Sequence, residues 1–268
     1  MGKAACELGK NLFRGSALLL VAGILMAQEG SPASPLLSAG RIAPPPPNYS
    51  FPDSQSYVFS AEWHTLTAGT GVIRMEPAGN ERKVVATAES AGAVNVLFPV
   101  RDRFESRFNP QSFCSKSITK HSEEGSHKRE TSIHFDYDGK KTILDEKNIK
   151  TSETKRVEND LPGCATDIVS CFYYLQSLPL QPGDTYEFPV SDGKTAVVRA
   201  TVEKRERIKV PAGNFSAVLV AAEAVSGSLQ SKGRVWLWYS DDPGHTPVQM
   251  RAKLGWGTIL FRLQRIEK

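Results

Sequence analysis

From Tyr57 onward, apolar and polar residues alternate with a period of two. Tyr57, Phe59, Ala61 and Trp63 are separated by Val58, Ser60, Glu62 and His64, the spacing of a strand with one face on a core. Thr131, Ile133, Phe135 and Tyr137 repeat it against Ser132, His134 and Asp136, and Asp138-Gly139 then supplies a tight hairpin turn before Thr142 to Leu144.

The second half is more regular. Tyr186, Phe188 and Val190 lead to Asp192-Gly193, after which Ala196, Val198, Ala200 and Val202 alternate with threonine and arginine along a long strand. Pro211-Ala212-Gly213 turns the chain into Phe215 to Val225, nearly all apolar or small and therefore central in a sheet. Val235, Leu237 and Tyr239 alternate with Arg234, Trp236 and Trp238 up to the turn Asp241-Asp242-Pro243-Gly244. Pro247 to Leu254, a break at Gly255-Trp256-Gly257, and Thr258 to Ile266 finish the chain.

One segment departs from this rhythm. Between Thr166 and Ser177, Ile168, Val169, Phe172, Tyr173 and Leu175 recur at helical spacing, with Thr166 or Asp167 placed to cap and Pro179 and Pro182-Gly183 to stop it. The pattern therefore predicts a mainly β protein: a single antiparallel meander forming a curled sheet or half-open barrel, with one amphipathic helix on its concave face or plugging one end.

The N-terminus has a different character. Lys3, Lys10 and Arg14 precede an uncharged apolar run from Ala17 to Ala27, which is too short to span a bilayer, since that takes about 20 residues. This layout predicts a cleavable export signal over 1–27, cut after Ala27 to leave Gln28 first. Cys6 lies ahead of the apolar run, so lipid attachment at its end is not expected, nor is a stable membrane anchor after cleavage. Residues 28–48 carry Pro32, Pro35 and Pro44 to Pro47 and read as a disordered, solvated linker. The folded domain is expected over 49–268, in the periplasm or outside the cell.

Charge adds little. The chain has 33 basic and 29 acidic side chains, and loss of Lys3, Lys10 and Arg14 with Glu7 leaves 30 against 28. This balance gives no reason to expect nucleic acid as a partner. In an oxidising compartment, Cys164 and Cys171 are close enough to bridge if the chain turns into a helix between them, with Cys114 left as a small buried residue.

Candidate chemistry is sparse. Ser117 with Lys120, and Ser152 with Lys155, have the spacing of a serine–lysine pair, but in strands that spacing sends the side chains to opposite faces. His121 and His127 flank a hairpin tip, yet two ligands make a poor metal site. Gly193-Lys194-Thr195 lacks the upstream glycine of a phosphate loop, and Gly-x-Ser-x-Gly and His-Glu-x-x-His are absent. No catalytic residue, metal or cofactor is expected. Arg101, Asp102, Arg103 and Glu105 read first as ion pairs on a solvated strand. The alternative is that Arg101 or Arg103 holds an anionic ligand group in a cavity. Trp236 and Trp238, sharing a strand face with Arg234, are either core packing or the wall of an amphiphile pocket.

Four stretches in order carry a resemblance to a family. They are Phe98-Pro99-Val100-Arg101-Asp102-Arg103-Phe104-Glu105-Ser106, the helix Asp167 to Leu175, Ile208-Lys209-Val210-Pro211-Ala212-Gly213-Asn214-Phe215, and Val235-Trp236-Leu237-Trp238 with Asp241-Asp242 and Pro247-Val248. Together they resemble the bacterial exported proteins of domain-of-unknown-function family 3108, from about Tyr57 to the C-terminus. Gln176 departs from that pattern, which has a basic residue after the helix. The resemblance carries no catalytic residues. The closing strands are also similar to those of periplasmic lipoprotein carriers, half-open barrels round acyl chains, which is a fold-level likeness. The expected role is that of a non-enzymatic envelope protein binding a lipid-like small molecule or an envelope partner. Behind it stand a scaffolding protein with a filled core and, third, an enzyme with an unfamiliar site. An unfilled apolar cavity beneath Thr166 to Ser177 would favour the first.

Overall fold

The computed structural model describes residues 40–63, 66–227, 233–254 and 257–268. The expected export signal, the linker as far as residue 39, His64 and Trp256 lie outside the described residues. Fifteen strands form one sheet. The first meander runs β1 (Ser56–Trp63), β2 (Leu66–Ala78), β3 (Glu81–Ser90), helix α1 (Gly92–Leu97), β4 (Val100–Phe108), β5 (Ser115–Glu124), β6 (His127–Asp136), β7 (Lys141–Asn148) and β8 (Thr154–Asp160). The second begins with β9 (Thr166–Asp167), helix α2 (Ser170–Gln176) and β10 (Thr185–Ser191). It continues through β11 (Thr195–Val210), β12 (Gly213–Ala224), β13 (Arg234–Ser240), β14 (Pro247–Leu254) and β15 (Gly257–Glu267). β15 pairs with β1 and unites the meanders, leaving β8 and β9 as the sheet edges. The curled antiparallel sheet read from the alternation is thus the architecture found, although β9 pairs with β10 in parallel.

Alternation decides what faces inward. In β4, Val100, Asp102, Phe104, Ser106 and Phe108 are buried while Arg101 and Arg103 are exposed. Because neighbouring strands are antiparallel, the β1–β2, β3–β4, β5–β6, β10–β11, β12–β13 and β14–β15 connections gather at one rim, called upper here. The β2–β3, β4–β5, β6–β7, β11–β12 and β13–β14 connections form the lower rim.

The β8 and β9 edges do not pair, but the sheet curls until the β9 end meets the start of β5. Ser115 N–H donates to the Ala165 carbonyl at 2.9 Å, and the Tyr137 hydroxyl donates to the Ser115 carbonyl at 2.6 Å. Beside these bonds a disulfide joins Cys114 to Cys164, Cα atoms 5.1 Å apart. The pairing expected from sequence, Cys164 with Cys171, is therefore wrong. Cys171 is free on α2, its thiol directed at the Ile168 carbonyl. A seam between distant strands, 50 residues apart in sequence, brings the true partners together, and local spacing cannot show it.

The helix is shorter than its periodicity. Thr166 and Asp167 are held in a ladder with Val190 and Ser191, and Asp167 N–H donates to Ser115 Oγ at 2.8 Å. These bonds replace a first helical turn. Asp167 still caps, because its Oδ1 accepts the Val169 and Ser170 amides at 2.8 and 2.9 Å. A second helix, α1, stands between β3 and β4, where the alternation predicts none.

The linker also differs. Residues 40–48 form neither helix nor strand, as the prolines require, but they are not a free spacer. Gly40 lies so close to β10 that a Cβ would sit 2.3 Å from the Glu187 carbonyl oxygen, a contact that needs glycine. Ile42 packs on the core and Ala43 N–H donates to the Tyr174 hydroxyl at 3.2 Å. The ordered domain starts at least at Gly40, and this strap helps seal the lower end.

Candidate functional site

Helix α2 lies inside the curled sheet and is anchored by polar contacts. The Gln176 amide Nε2 donates to the Gly244 carbonyl at 2.9 Å and to the Tyr57 hydroxyl at 3.3 Å. His245 Nδ1 faces the Gln176 carbonyl at 3.0 Å, so that nitrogen carries the proton. The Tyr239 hydroxyl donates to the Phe172 carbonyl at 2.9 Å. Gln176, where the family resemblance has a basic residue, is buried and fills the place with a neutral donor. Tyr173, Tyr174 and Leu175 are buried too and close the lower end.

Above α2 the interior is not filled. A cleft of about 180 Å³ lies between Phe172 and Leu175 of the helix and Phe59, Phe104, Leu237 and Phe261 of the sheet. Its charged neighbours, Glu223, Arg234 and Lys253, stand at the upper rim where the cleft opens. Cys171 is the thiol in its wall. Burial, with a smaller contribution from the charge of Asp167, pushes that thiol's pKa well above its usual value, which disfavours the thiolate.

The residues singled out from sequence as ligand-binding do not reach this cleft. Arg101 and Arg103 point outward, and Arg103 Nη2 lies 3.6 Å from Glu105. Of the ion pairs expected on a solvated strand, Arg103 with Glu105 is formed, whereas Asp102 points inward and is buried. Trp236 and Trp238 share a face with Arg251, whose guanidinium carbon is 4.2 Å from the Trp236 ring centre and 5.6 Å from that of Trp238. Their neighbours Val235 and Leu237 face the cleft instead. The indole N–H of Trp238 donates to Glu206 at 2.9 Å. The long β11–β12 hairpin reaches across to β15, where Ala212 N–H donates to the Leu263 carbonyl at 2.9 Å.

The weaker motifs stay apart as well. Ser117 pairs with Arg107 and Lys120 with Phe104, which puts the two on opposite faces. Ser152 sits in the β7–β8 turn with φ 60°, and Lys155 is exposed. His121 faces Glu123 and Glu130 at 3.2 and 3.5 Å while His127 is exposed. Among the described residues no group of three or more His, Cys, Asp or Glu is placed to hold a metal ion.

A polar cluster that matches no sequence motif occupies the inner face of β4 and β5. Lys120 Nζ contacts Asp192 Oδ1 at 2.6 Å, with side chains 9% and 2% exposed. The Thr142 hydroxyl donates to the Gly193 carbonyl, so the β10–β11 turn is clasped to β5 and β7. Next to it, burial raises the Asp102 carboxyl to about 7, against the Glu123 amide that donates to it at 3.2 Å. Burial and the neighbouring Asp102 raise Glu124 to about 8. Burial and mutual repulsion therefore both disfavour ionising the two carboxyls together. Simple parity places Asp102 inside, between Val100 and Phe104, and that was the available clue.

A curled antiparallel sheet around an apolar cleft, with a helix as its floor, defines a β-barrel-like protein with an open end. The chain belongs to the DUF3108 family of proteins of unknown function, whose model matches residues 58–264. A solved structure with the same fold is a β-barrel-like protein of domain-of-unknown-function family 1849 from Brucella abortus. It is 9% identical with a TM-score of 0.54, over 85% of this chain and 99% of that one. A Bacteroides fragilis protein described as exported, with a YmcC-like fold, gives 11% identity and a TM-score of 0.36 over 86% of this chain and 100% of its own. A Parabacteroides distasonis protein described as a lipoprotein gives 12% and 0.33, with 86% and 100% covered. No curated protein matches the sequence.

Proposed function

We propose that this is a non-catalytic binding protein of the cell envelope that takes the apolar part of an amphiphile into the cleft above α2. The observation that carries the reading is the cleft itself, about 180 Å³, walled by aromatic and aliphatic side chains and open at one rim. Apolar cavities of about 150 Å³ stay dry and accept small apolar ligands, whereas drug-sized ligands need about 300 Å³ or more. The cleft suits one chain end, not a whole two-chain lipid. Its charged neighbours at the mouth leave the polar head in water, where desolvation costs nothing. The surroundings of the thiol in its wall disfavour the thiolate, which supports binding over chemistry.

The test uses N-phenyl-1-naphthylamine, whose fluorescence rises in apolar sites. The protein is expected to bind one probe per chain, displaceable by a fatty acid, and Ala222→Trp, which fills the cleft wall, to reduce affinity at least tenfold. Native mass spectrometry of protein from its own envelope should show a co-purifying amphiphile. Absence of probe binding, with lipid-free protein from several preparations, would sink the reading in favour of a scaffolding protein.

A further inference from the structure

Helix α1 has no buried residue, and its Val96 and Leu97 side chains face solvent. Val96 is 83% and Leu97 78% exposed, and Leu66 at the start of the adjoining β2 is 56% exposed. Among the described residues these are three of the four exposed large apolar side chains, and all three stand at the upper rim. The structure holds them there. Ala91 N–H donates to the Ala68 carbonyl and Asn95 N–H to the Ala91 carbonyl, at 2.8 and 3.3 Å. The Ser90 hydroxyl donates to Asn95 Oδ1 at 2.8 Å and accepts the Val100 amide at 2.8 Å. At the helix end the Phe98 ring lies where a Cβ on Gly125 would be, 2.6 Å away, and Gly125 itself has φ +53°. Gly125 N–H donates to the Pro99 carbonyl at 2.8 Å. A helix tied at both ends that still turns Val96 and Leu97 outward presents a surface.

We propose that α1 and Leu66 form a contact element for a phospholipid bilayer, setting the open rim of the cleft against the membrane. The use of that contact to exchange an amphiphile rests on the cleft reading above. Size selects the occupant. Three such side chains offer on the order of 300 Å² of apolar surface, whereas a stable protein–protein interface covers roughly 800 Å² per partner. A second copy of the chain, or a protein partner seated on this patch, would leave most of its own interface unmatched. Acyl chains need no matching shape, and a few protruding apolar residues give the weak, reversible attachment that peripheral contacts have. Position agrees. Gly71 of β2 lines the cleft, and Gly69, two residues nearer the rim, pairs with Ser90 just before α1.

The test is flotation of the protein, beginning at Gln28, with vesicles of phosphatidylethanolamine and phosphatidylglycerol. The protein should float, and Val96→Asp with Leu97→Asp should lower the bound fraction at least tenfold without moving the melting temperature. Equal flotation of the double variant, or none by the parent protein, overturns the proposal. So does a concentration-dependent dimer in sedimentation velocity that the double variant abolishes, since the occupant would then be a second copy. Ala222→Trp separates the two readings: it should lose the naphthylamine probe and keep vesicle binding. Vesicle binding that needs Val96 and Leu97, in a protein that never binds the probe, would remove the cleft reading and keep the membrane contact.

Discussion

The inner face of the sheet has two halves built on the same alternation and put to different uses. On β1, β13 and β15 the inward positions are Phe59, Leu237 and Phe261, and they surround open space. On β4 and β5 they include Asp102, Ser106, Ser115 and Lys120, and that side is packed shut against the β9–β10 segment. The polar half uses directional bonds to close the curl. Ser106 and Ser115 donate to Asp167, Lys120 binds Asp192, and the Cys114–Cys164 disulfide stands beside them. Directional bonds fix distance and register, which is what docking the β9 edge against β4 and β5 requires. Apolar contact is non-directional, so the other half can surround space without specifying its shape. A sheet that closed itself by hydrophobic packing alone would have filled the space that the cleft occupies.

If the seam is the structural half, breaking it should cost the most. Replacing Cys114 and Cys164 together by serine releases a 50-residue loop, for which chain entropy predicts about 4 kcal/mol. Urea unfolding should show a loss of that order, and Cys171→Ser should lie within about 1 kcal/mol of the parent. Hydrogen exchange sharpens the contrast. Without the disulfide, amides of β5 and β9 should lose protection first, while β13 to β15 keep theirs. Uniform loss across the sheet would show that seam and cleft form a single cooperative unit.

A smaller effect belongs to Asp102 and Glu124. Their folded-state pKa values, about 7 and about 8, lie above the ordinary 3.8 and 4.5. The folded protein therefore binds more protons than the unfolded chain between those limits, and stability from this pair falls as pH rises. It is fully present below about pH 4 and gone above about pH 8. The groups facing the pair are Glu123, which raises Asp102, His121, which lowers it, and Arg129 and Lys120, which lower Glu124. Asp102→Asn cannot ionise, so it should be more stable than the parent at pH 8.5, by at least the roughly 1.4 kcal/mol of one pKa unit. The advantage should shrink as pH falls and vanish only below about pH 4, where the unfolded carboxyl is protonated too, and probe affinity should stay unchanged throughout. An advantage that persists undiminished below that pH would mean that packing, not ionisation, distinguishes the variant.

The sheet was legible because its alternation is local: two residues apart along one strand is the same face wherever that strand goes. The turns at Asp138-Gly139, Asp192-Gly193 and Asp241 to Gly244 were legible for the same reason. The seam was not. Cys114 finds Cys164 only because the curl brings β5 to the segment before β9. Thr166 and Asp167 leave the helical pattern only because that seam offers them better bonds. The cleft was half legible. Its floor, Phe172 and Leu175 on α2, came directly from helical spacing. Its walls were sought in Trp236 and Trp238, the conspicuous residues, although parity gave that face to Val235 and Leu237 if the inward side could be named. Naming it takes one tertiary contact, such as Tyr239 donating to Phe172, which fixes the odd positions of β13 as inward.

The least effect of all is expected from Arg101 and Arg103. Both are exposed on the outer face of β4, and the Arg103–Glu105 pair joins side chains 56% and 31% exposed, a setting in which ion pairs contribute little. Arg101→Ala with Arg103→Ala should shift stability by no more than about 0.5 kcal/mol and leave naphthylamine affinity within error. Conserving the charge by Arg→Lys should make no further difference, because neither guanidinium is engaged in a bidentate or stacked contact among the described residues. A clear loss of probe affinity in the alanine pair would mean that ligand reaches the outer face. The division between a bonded seam and an apolar cleft would then have to be redrawn with a second site on β4, in the position first suggested by the Arg101-Asp102-Arg103 cluster.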